Sequence, residues 1–250
     1  IPSLLHGNGG AKDKMLINQI SNYFPYKWRE IYGYFGKSTQ KKSNNVMVSF
    51  FAINEQFNES HIKFLNDCLK KRYKLFIYNP KSIQLNRWYN SLKNKNNIVY
   101  FHIDDIRSAR INSLEIANSI NSNYYFTISN EFIINSDTIK TLITRDKNCI
   151  GPLLKKDNSD WSNVWMSVDN KGFYQRSFDY IPIVKGERKG IWNCTYINNC
   201  FLLKRELFQD AIQGYKSYLN LDVDMSICQY FRDKYIFMFA DNLEYYGKVL

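Results

Sequence analysis

From Val46 onwards, short apolar runs alternate with longer amphipathic stretches. "VMVSFFAIN" (46–54), rich in Val and Phe, suits a fully buried strand. The pattern then predicts a helix over 59–73, a strand over 74–79 and a helix over 81–94. A strand over 97–103, a helix over 107–120 and the strand "YYFTIS" (124–129) follow. Strands alternating with helices imply right-handed βαβ units, and so a Rossmann-like α/β fold whose mixed, mainly parallel sheet carries helices on both faces. The second half is less regular. It reads as a helix in "SDTIKTLITRD", a strand in "CIGPLL", aromatic-rich segments to about Ile197 and a strand in "NNCFLLKR". A helix in "RELFQDAI", acidic "LDVDM", a helix in "SICQYFRD" and a strand in "IFMFA" complete it, and no internal repeat is present.

In an open parallel sheet, ligands sit beyond the carboxyl ends of the strands. "NYYFTISNEFIIN" (123–135) reads as a buried strand running into a turn, which puts Ser129, Asn130 and Glu131 at such an end. Before Val46 the pattern differs. Residues 1–32 read as a short strand, a glycine-rich turn and an amphipathic helix stopped by Pro25, and the polar stretch 33–45 reads as a solvated linker. "HGNGGAK" (6–12) spaces His6, Gly9 and Lys12 as a clamp for a nucleotide diphosphate on a metal. Imidazole takes a divalent ion such as Mn²⁺, Gly9 admits close backbone approach and Lys12 neutralises phosphate. Such a clamp on the first strand suggests that residues 1–32 are the tail of a preceding domain, with a second domain over 46–250.

Composition removes several classes. Hydrophobic residues make up 44% and charged residues 23%, values of an ordinary folded protein. No apolar run approaches the roughly 18 residues of a membrane span. A net charge of +11 invites a nucleic-acid reading, but the lysines are scattered and no basic helix or aromatic–basic motif supports it; the 29 Asn fit the codon bias of an AT-rich genome, a large DNA virus among the candidates. The five cysteines, Cys68, Cys149, Cys194, Cys200 and Cys228, lack paired zinc spacing and read as small core residues, with disulfides and redox compartment left open. His102 and Asp104 have the spacing of half an iron-binding facial triad, yet no histidine follows His102 to complete it.

Two other groups carry candidate chemistry. Asp222 and Asp224 lie two apart, so in an extended stretch both carboxylates would face one side and could hold a cation or supply a base; the pair equally suits a helix cap. "DNSDWSNVW" and "RKGIWNCTYI" gather Trp161, Trp165 and Trp192 with Asn163 and Asn193, flat apolar faces and amides that suit acceptor or sugar contact, although core packing explains at least two of the tryptophans equally well.

Seven ordered blocks, "HGNGGAK…NYFPYKW", "SNYYFTI", "IGPLL", "WSNVW", "GFYQRSFDYIPIVKGERKGIWNCTYI", "LDVDMSIC" and "IFMF", give the chain a resemblance to the procollagen lysyl hydroxylases, which hydroxylate collagen lysines and in some members glycosylate the product. The resemblance covers almost the whole chain. It implies that residues 1 to about 32 end a catalytic GT-A glycosyltransferase domain, with His6 as that domain's metal ligand, and that residues 46–250 form a GT-A-like accessory domain. In the parent it implies Mn²⁺ and a UDP-sugar for glycosyl transfer, and Fe²⁺, 2-oxoglutarate and ascorbate for hydroxylation. It further implies collagen and the parent's other domains as partners, a homodimer through the parent, and the endoplasmic reticulum lumen, or a host compartment if the source is viral. Relatives commonly carry D-x-D where this chain has Ser129-Asn130-Glu131. That loss of a charged metal ligand points to a noncatalytic domain; an active metal-dependent transferase would need Asp222 or Asp224 to compensate.

Overall fold

A computed structural model describes residues 45–102, 104–169 and 173–250. The expectations placed on residues 1–44, including His6, Gly9 and Lys12, lie outside the described residues. The main sheet is built from β1 (Val46–Phe51), β2 (Lys74–Tyr78), β3 (Ile98–Phe101), β4 (Tyr124–Ser129), β5 (Cys149–Pro152), β6 (Ile191–Cys194), β7 (Cys200–Lys204) and β8 (Met238–Asp241). The described helices are α1 (Glu59–Lys70), α2 (Ile83–Ser91), α3 (Ile106–Ser119), α4 (Thr138–Thr144), α5 (Tyr180–Val184), α6 (Phe208–Lys216) and α7 (Val223–Asp233).

The eight strands stand in the order β6-β8-β5-β7-β4-β1-β2-β3. Only β7 and β6 run against the rest, so the carboxyl ends of β1, β2, β3, β4, β5 and β8 share one edge. This is the mixed, mainly parallel sheet that the alternation predicts. Every residue of β1 is buried, and its side chains divide between two cores. Met47 and Phe51 pack with α3, α6 and α7 through Leu114, Phe208 and Phe231; Val46, Val48 and Phe50 pack with α1, α2 and α4 through Leu65, Trp88 and Leu142. A strand that feeds a core on each face is expected to be largely apolar, and β1 is so at five of its six positions, the exception being the buried Ser49.

Element ends follow from local chemistry. Helix α1 starts at the side chain of Asn58, which accepts from the Ser60 and His61 amides, and stops short of the predicted Tyr73 because Arg72 takes a left-handed φ of 59°. The stretch from Arg205 enters as a 3-10 turn over Arg205–Leu207, and α6 then runs on to Lys216, past the predicted Ile212. The last predicted strand begins later, at Met238, because Tyr235 turns the chain at a φ of 57°. The sequence pattern passes over β6 and α5, which lie within the aromatic-rich segments. A second, three-stranded sheet joins Phe132–Ile134, Gly247–Val249 and Lys155–Lys156. All five cysteines are free and buried. Among the described residues no helix is long and apolar enough to cross a membrane.

His61 gives the fold a pH dependence. Its Nδ1 accepts the Asn58 amide at 3.1 Å, and its ring stacks on Phe57 at 5.5 Å. Burial lowers its pKa from 6.5 to about 4. The folded state therefore resists the proton that the unfolded chain accepts, so this stability is present above pH 6.5 and is lost as pH falls toward 4. By pH 5 the loss amounts to roughly 2 kcal/mol. Urea unfolding at pH 7 and pH 5 should show that His61→Gln loses less stability across this interval than the wild type does, by about that amount; parallel losses would count against it.

Candidate functional site

The shared carboxyl edge brings together Phe51 of β1, Tyr78 of β2 and Ser129 of β4. Ser129 sits at the last position of β4, where the sequence places it, and is fully buried. Its hydroxyl lies 3.4 Å from both the Glu131 carboxylate, to which it donates, and the Glu131 amide, from which it accepts. Asn130 is equally buried and wholly engaged. Its Oδ1 accepts the Ile53 amide at 3.0 Å, and its Nδ2 donates to the Asn54 and Gln56 carbonyls at 2.9 and 2.7 Å. The middle residue of the turn thus ties the loop after β1 to the end of β4.

The acidic pair takes up two different environments. The segment is helical from Val223, not extended: Asp222 is the α7 cap, accepting the Met225 amide at 2.8 Å, while Asp224 lies in the first turn. The Asp224 side chain is only 15% exposed, and its Oδ1 lies 3.8 Å from Arg110 Nη2. Arg110 belongs to α3 and has no solvent exposure. Its guanidinium stacks 3.6 Å from the centre of the Phe51 ring and donates to Thr127 of β4. Burial raises the Asp224 pKa to about 6, with Arg110 opposing the shift and Asp222 and Glu131 adding to it. Arg110 Nε and Nη2, Tyr215 Oη and Asp224 Oδ1 are all buried without a hydrogen-bond partner, so this polar cluster is tightly enclosed but poorly satisfied.

Arg107, one turn before Arg110, fixes the approach to α7. Its Nη1 donates to the Tyr215 carbonyl at 2.7 Å and to Ser226 Oγ at 3.1 Å, and its Nη2 donates to the Leu221 carbonyl at 2.7 Å. Neither arginine belongs to a sequence motif that marks it as a site residue. A signal for Arg110 exists: it shares a helical stripe with Ser113, Leu114 and Ala117, all buried, so it is a charge on the core face of α3.

The donor set fits a divalent ion poorly. Among the described residues no three His, Cys, Asp or Glu side chains converge as metal ligands. Ser129 offers a neutral hydroxyl, the Asn130 amide is committed, and Asp224 faces a fixed cation.

The candidate contact residues of the tryptophan-rich segments differ widely in exposure. Trp161 is 36% exposed, and Trp165 is half-buried and stacked on Tyr180 at 5.8 Å. Trp192 is buried and donates to Asn242 Oδ1 at 2.9 Å. Asn163 is buried between the Leu154 amide and the Pro152 carbonyl, at 2.7 and 3.1 Å, and Asn193 is buried in β6. Of the five, Trp161 and Trp165 have the side chains with surface to offer a ligand.

The model of the family described as "Glycosyltransferase family 25, N-terminal domain" matches residues 32–242. The chain belongs to this family. Its relatives include mouse procollagen-lysine,2-oxoglutarate 5-dioxygenase 1, 28% identical over the whole chain, and the procollagen lysyl hydroxylase and glycosyltransferase of Acanthamoeba polyphaga mimivirus, 28% identical over 99% of it. The multifunctional procollagen lysine hydroxylase and glycosyltransferase of Caenorhabditis elegans is 29% identical over 98%. The chain spans 37%, 26% and 36% of their respective lengths. Among solved structures, S. aureus TarS 1-349 superposes with a TM-score of 0.52 at 12% identity, covering 82% of this chain and 60% of that one; at that identity the likeness concerns the fold. The family 25 domain has a GT-A-like fold.

Proposed function

We propose that the domain is a noncatalytic, GT-A-like accessory module of a multidomain collagen lysyl hydroxylase and hydroxylysine glycosyltransferase. Residues 1–32 would end the preceding glycosyltransferase domain, 33–45 would link, and 46–250 would position the catalytic domains and help to hold the procollagen chain. The observation that carries this reading is the enclosed Arg110–Asp224 pair: the carboxylate that could join Glu131 at the strand edge faces an internal cation instead. Mn²⁺ and a UDP-sugar would be handled by the preceding domain, with His6, Gly9 and Lys12, and Fe²⁺, 2-oxoglutarate and ascorbate by the hydroxylase domain. The family relatives' names support a collagen substrate and, with it, a lumen of the secretory pathway, the endoplasmic reticulum first, as the working compartment.

The second reading is an active Mn²⁺-dependent transferase acting on collagen hydroxylysine, and the raised pKa of Asp224 favours it, because an acid poised near 6 suits a general base. Calorimetric titration of the chain with Mn²⁺ and UDP-glucose or UDP-galactose separates the two. No saturable binding is expected up to millimolar nucleotide sugar, and none should be gained in a Ser129→Asp/Glu131→Asp variant, since residue 129 is fully enclosed and its carboxylate would be desolvated. Micromolar, Mn²⁺-dependent binding lost in Glu131→Ala or Asp224→Asn, or sugar transfer to a hydroxylysine peptide, would overturn the accessory reading.

A further inference from the structure

We propose that the cleft beyond the carboxyl ends of β5 and β8 is a docking site for an acidic segment of an extended polypeptide. The cleft has a volume of about 420 Å³ and lies on the shared carboxyl edge, beside Leu153 and Asn242, the residues that follow the two strands. None of the site residues Ser129, Glu131, Arg110 or Asp224 lines it.

Its floor is apolar and fixed. Leu153, Ile183 and Val184 are buried there. Asn242 holds the floor together, its Oδ1 accepting from Gly190 N and Trp192 Nε1 at 2.8 and 2.9 Å and its Nδ2 donating to the Ile183 and Arg188 carbonyls at 2.8 Å. Tyr246 is also rigid, its hydroxyl donating to Asp241 at 2.7 Å. Tyr245, 72% exposed, also lines the cleft.

The rim is basic. Lys155 and Lys248 are register partners on adjacent parallel strands, so both side chains emerge on one side of the small sheet, and Lys185 and Lys189 line the cleft from α5's end and beyond. The two acids at the cleft are already matched: Asp157 pairs with Lys248 at 2.5 Å and Glu244 with Arg145 at 2.8 Å. Lys185 reaches Asp160 only at 3.9 Å. Lys155 and Lys189 have no acidic partner among the described residues. Two unmatched cations over a rigid apolar floor select a ligand that carries negative charge and an apolar body together. A bare phosphate would leave the floor unused. A Glu or Asp flanked by an apolar residue satisfies both, its carboxylate between Lys155 and Lys189 and its neighbour on Leu153 and Tyr245.

The proposal is independent of whether the domain transfers sugar. The test is fluorescence anisotropy of a labelled (Gly-Pro-Glu)₅ peptide, with (Gly-Pro-Gln)₅ as the neutral control, titrated with the whole chain. Saturable binding of the acidic peptide is expected, weakening as salt rises and falling at least tenfold in Lys155→Glu/Lys189→Glu and severalfold in Tyr245→Ala, all three positions being at the surface. Equal binding of the neutral peptide, unchanged affinity in the double variant, or full displacement by inorganic phosphate at concentrations that merely match the peptide would each overturn it.

Discussion

Arg110→Met is expected to cost about 3–5 kcal/mol at pH 7.5, because it leaves the Asp224 carboxylate buried without its cation. The guanidinium also stacks on Phe51 and donates to Thr127, so the loss reaches β1 and β4 as well as α7. Urea unfolding of a double-variant cycle separates the terms. In Arg110→Met/Asp224→Leu both charges are gone and most of the stability should return, since apolar replacement of a buried pair is commonly neutral or better. The pH dependence has a definite sign. The pKa of Asp224 is raised above its unfolded value, so the cost of its ionised form is present above about pH 6 and fades as pH falls through it. The penalty of Arg110→Met should therefore shrink at pH 5, where Asp224 takes up a proton. A cost below about 1 kcal/mol at pH 7.5, or one that grows on acidification, would show that the pair is not an internal charge balance.

Asn130→Asp should be about as damaging, by roughly 3 kcal/mol or more, although it adds a carboxylate at the strand end. The amide nitrogen donates to the Asn54 and Gln56 carbonyls and to Asn54 Oδ1, at 2.7–2.9 Å. An aspartate would set an oxygen against these three acceptors and bury a charge with no exposure to water. Proteolysis in the loop at 52–57 should accelerate along with the fall in urea midpoint, since that loop is what the amide restrains. A variant of wild-type midpoint would mean that this turn is free to hold ligands, and would weaken the accessory reading directly.

The pKa values of His61 and Asp224 are shifted in opposite directions, so acidification costs stability at one and relieves a cost at the other, and the wild-type stability curve between pH 4 and 6.5 should be flatter than either residue alone would make it.

Much of this architecture is written in the sequence because it depends on period. The buried, mostly apolar β1, the succession of strands and helices up to "YYFTIS" and the placement of Ser129 at a strand's carboxyl end follow from which residues must avoid water on which side. Asp222 likewise announces a helix start, and the structure uses it as one. Position along an element is as far as that logic extends. Nothing in the spacing of Arg110 and Asp224, more than a hundred residues apart, reveals that α3 and α7 lie on one face of the sheet and bring the two charges to 3.8 Å. Trp192 and Asn163 look in the sequence like contact residues and in the fold are bound within it, because β6 and the turn after β5 have buried them. The sequence alone determined the alternating α/β plan, the strand edge and the absence of a full acidic motif there. The tertiary structure decided which charges meet at that edge, since a buried cation can be balanced only by what the packing of distant elements brings within a few ångströms of it.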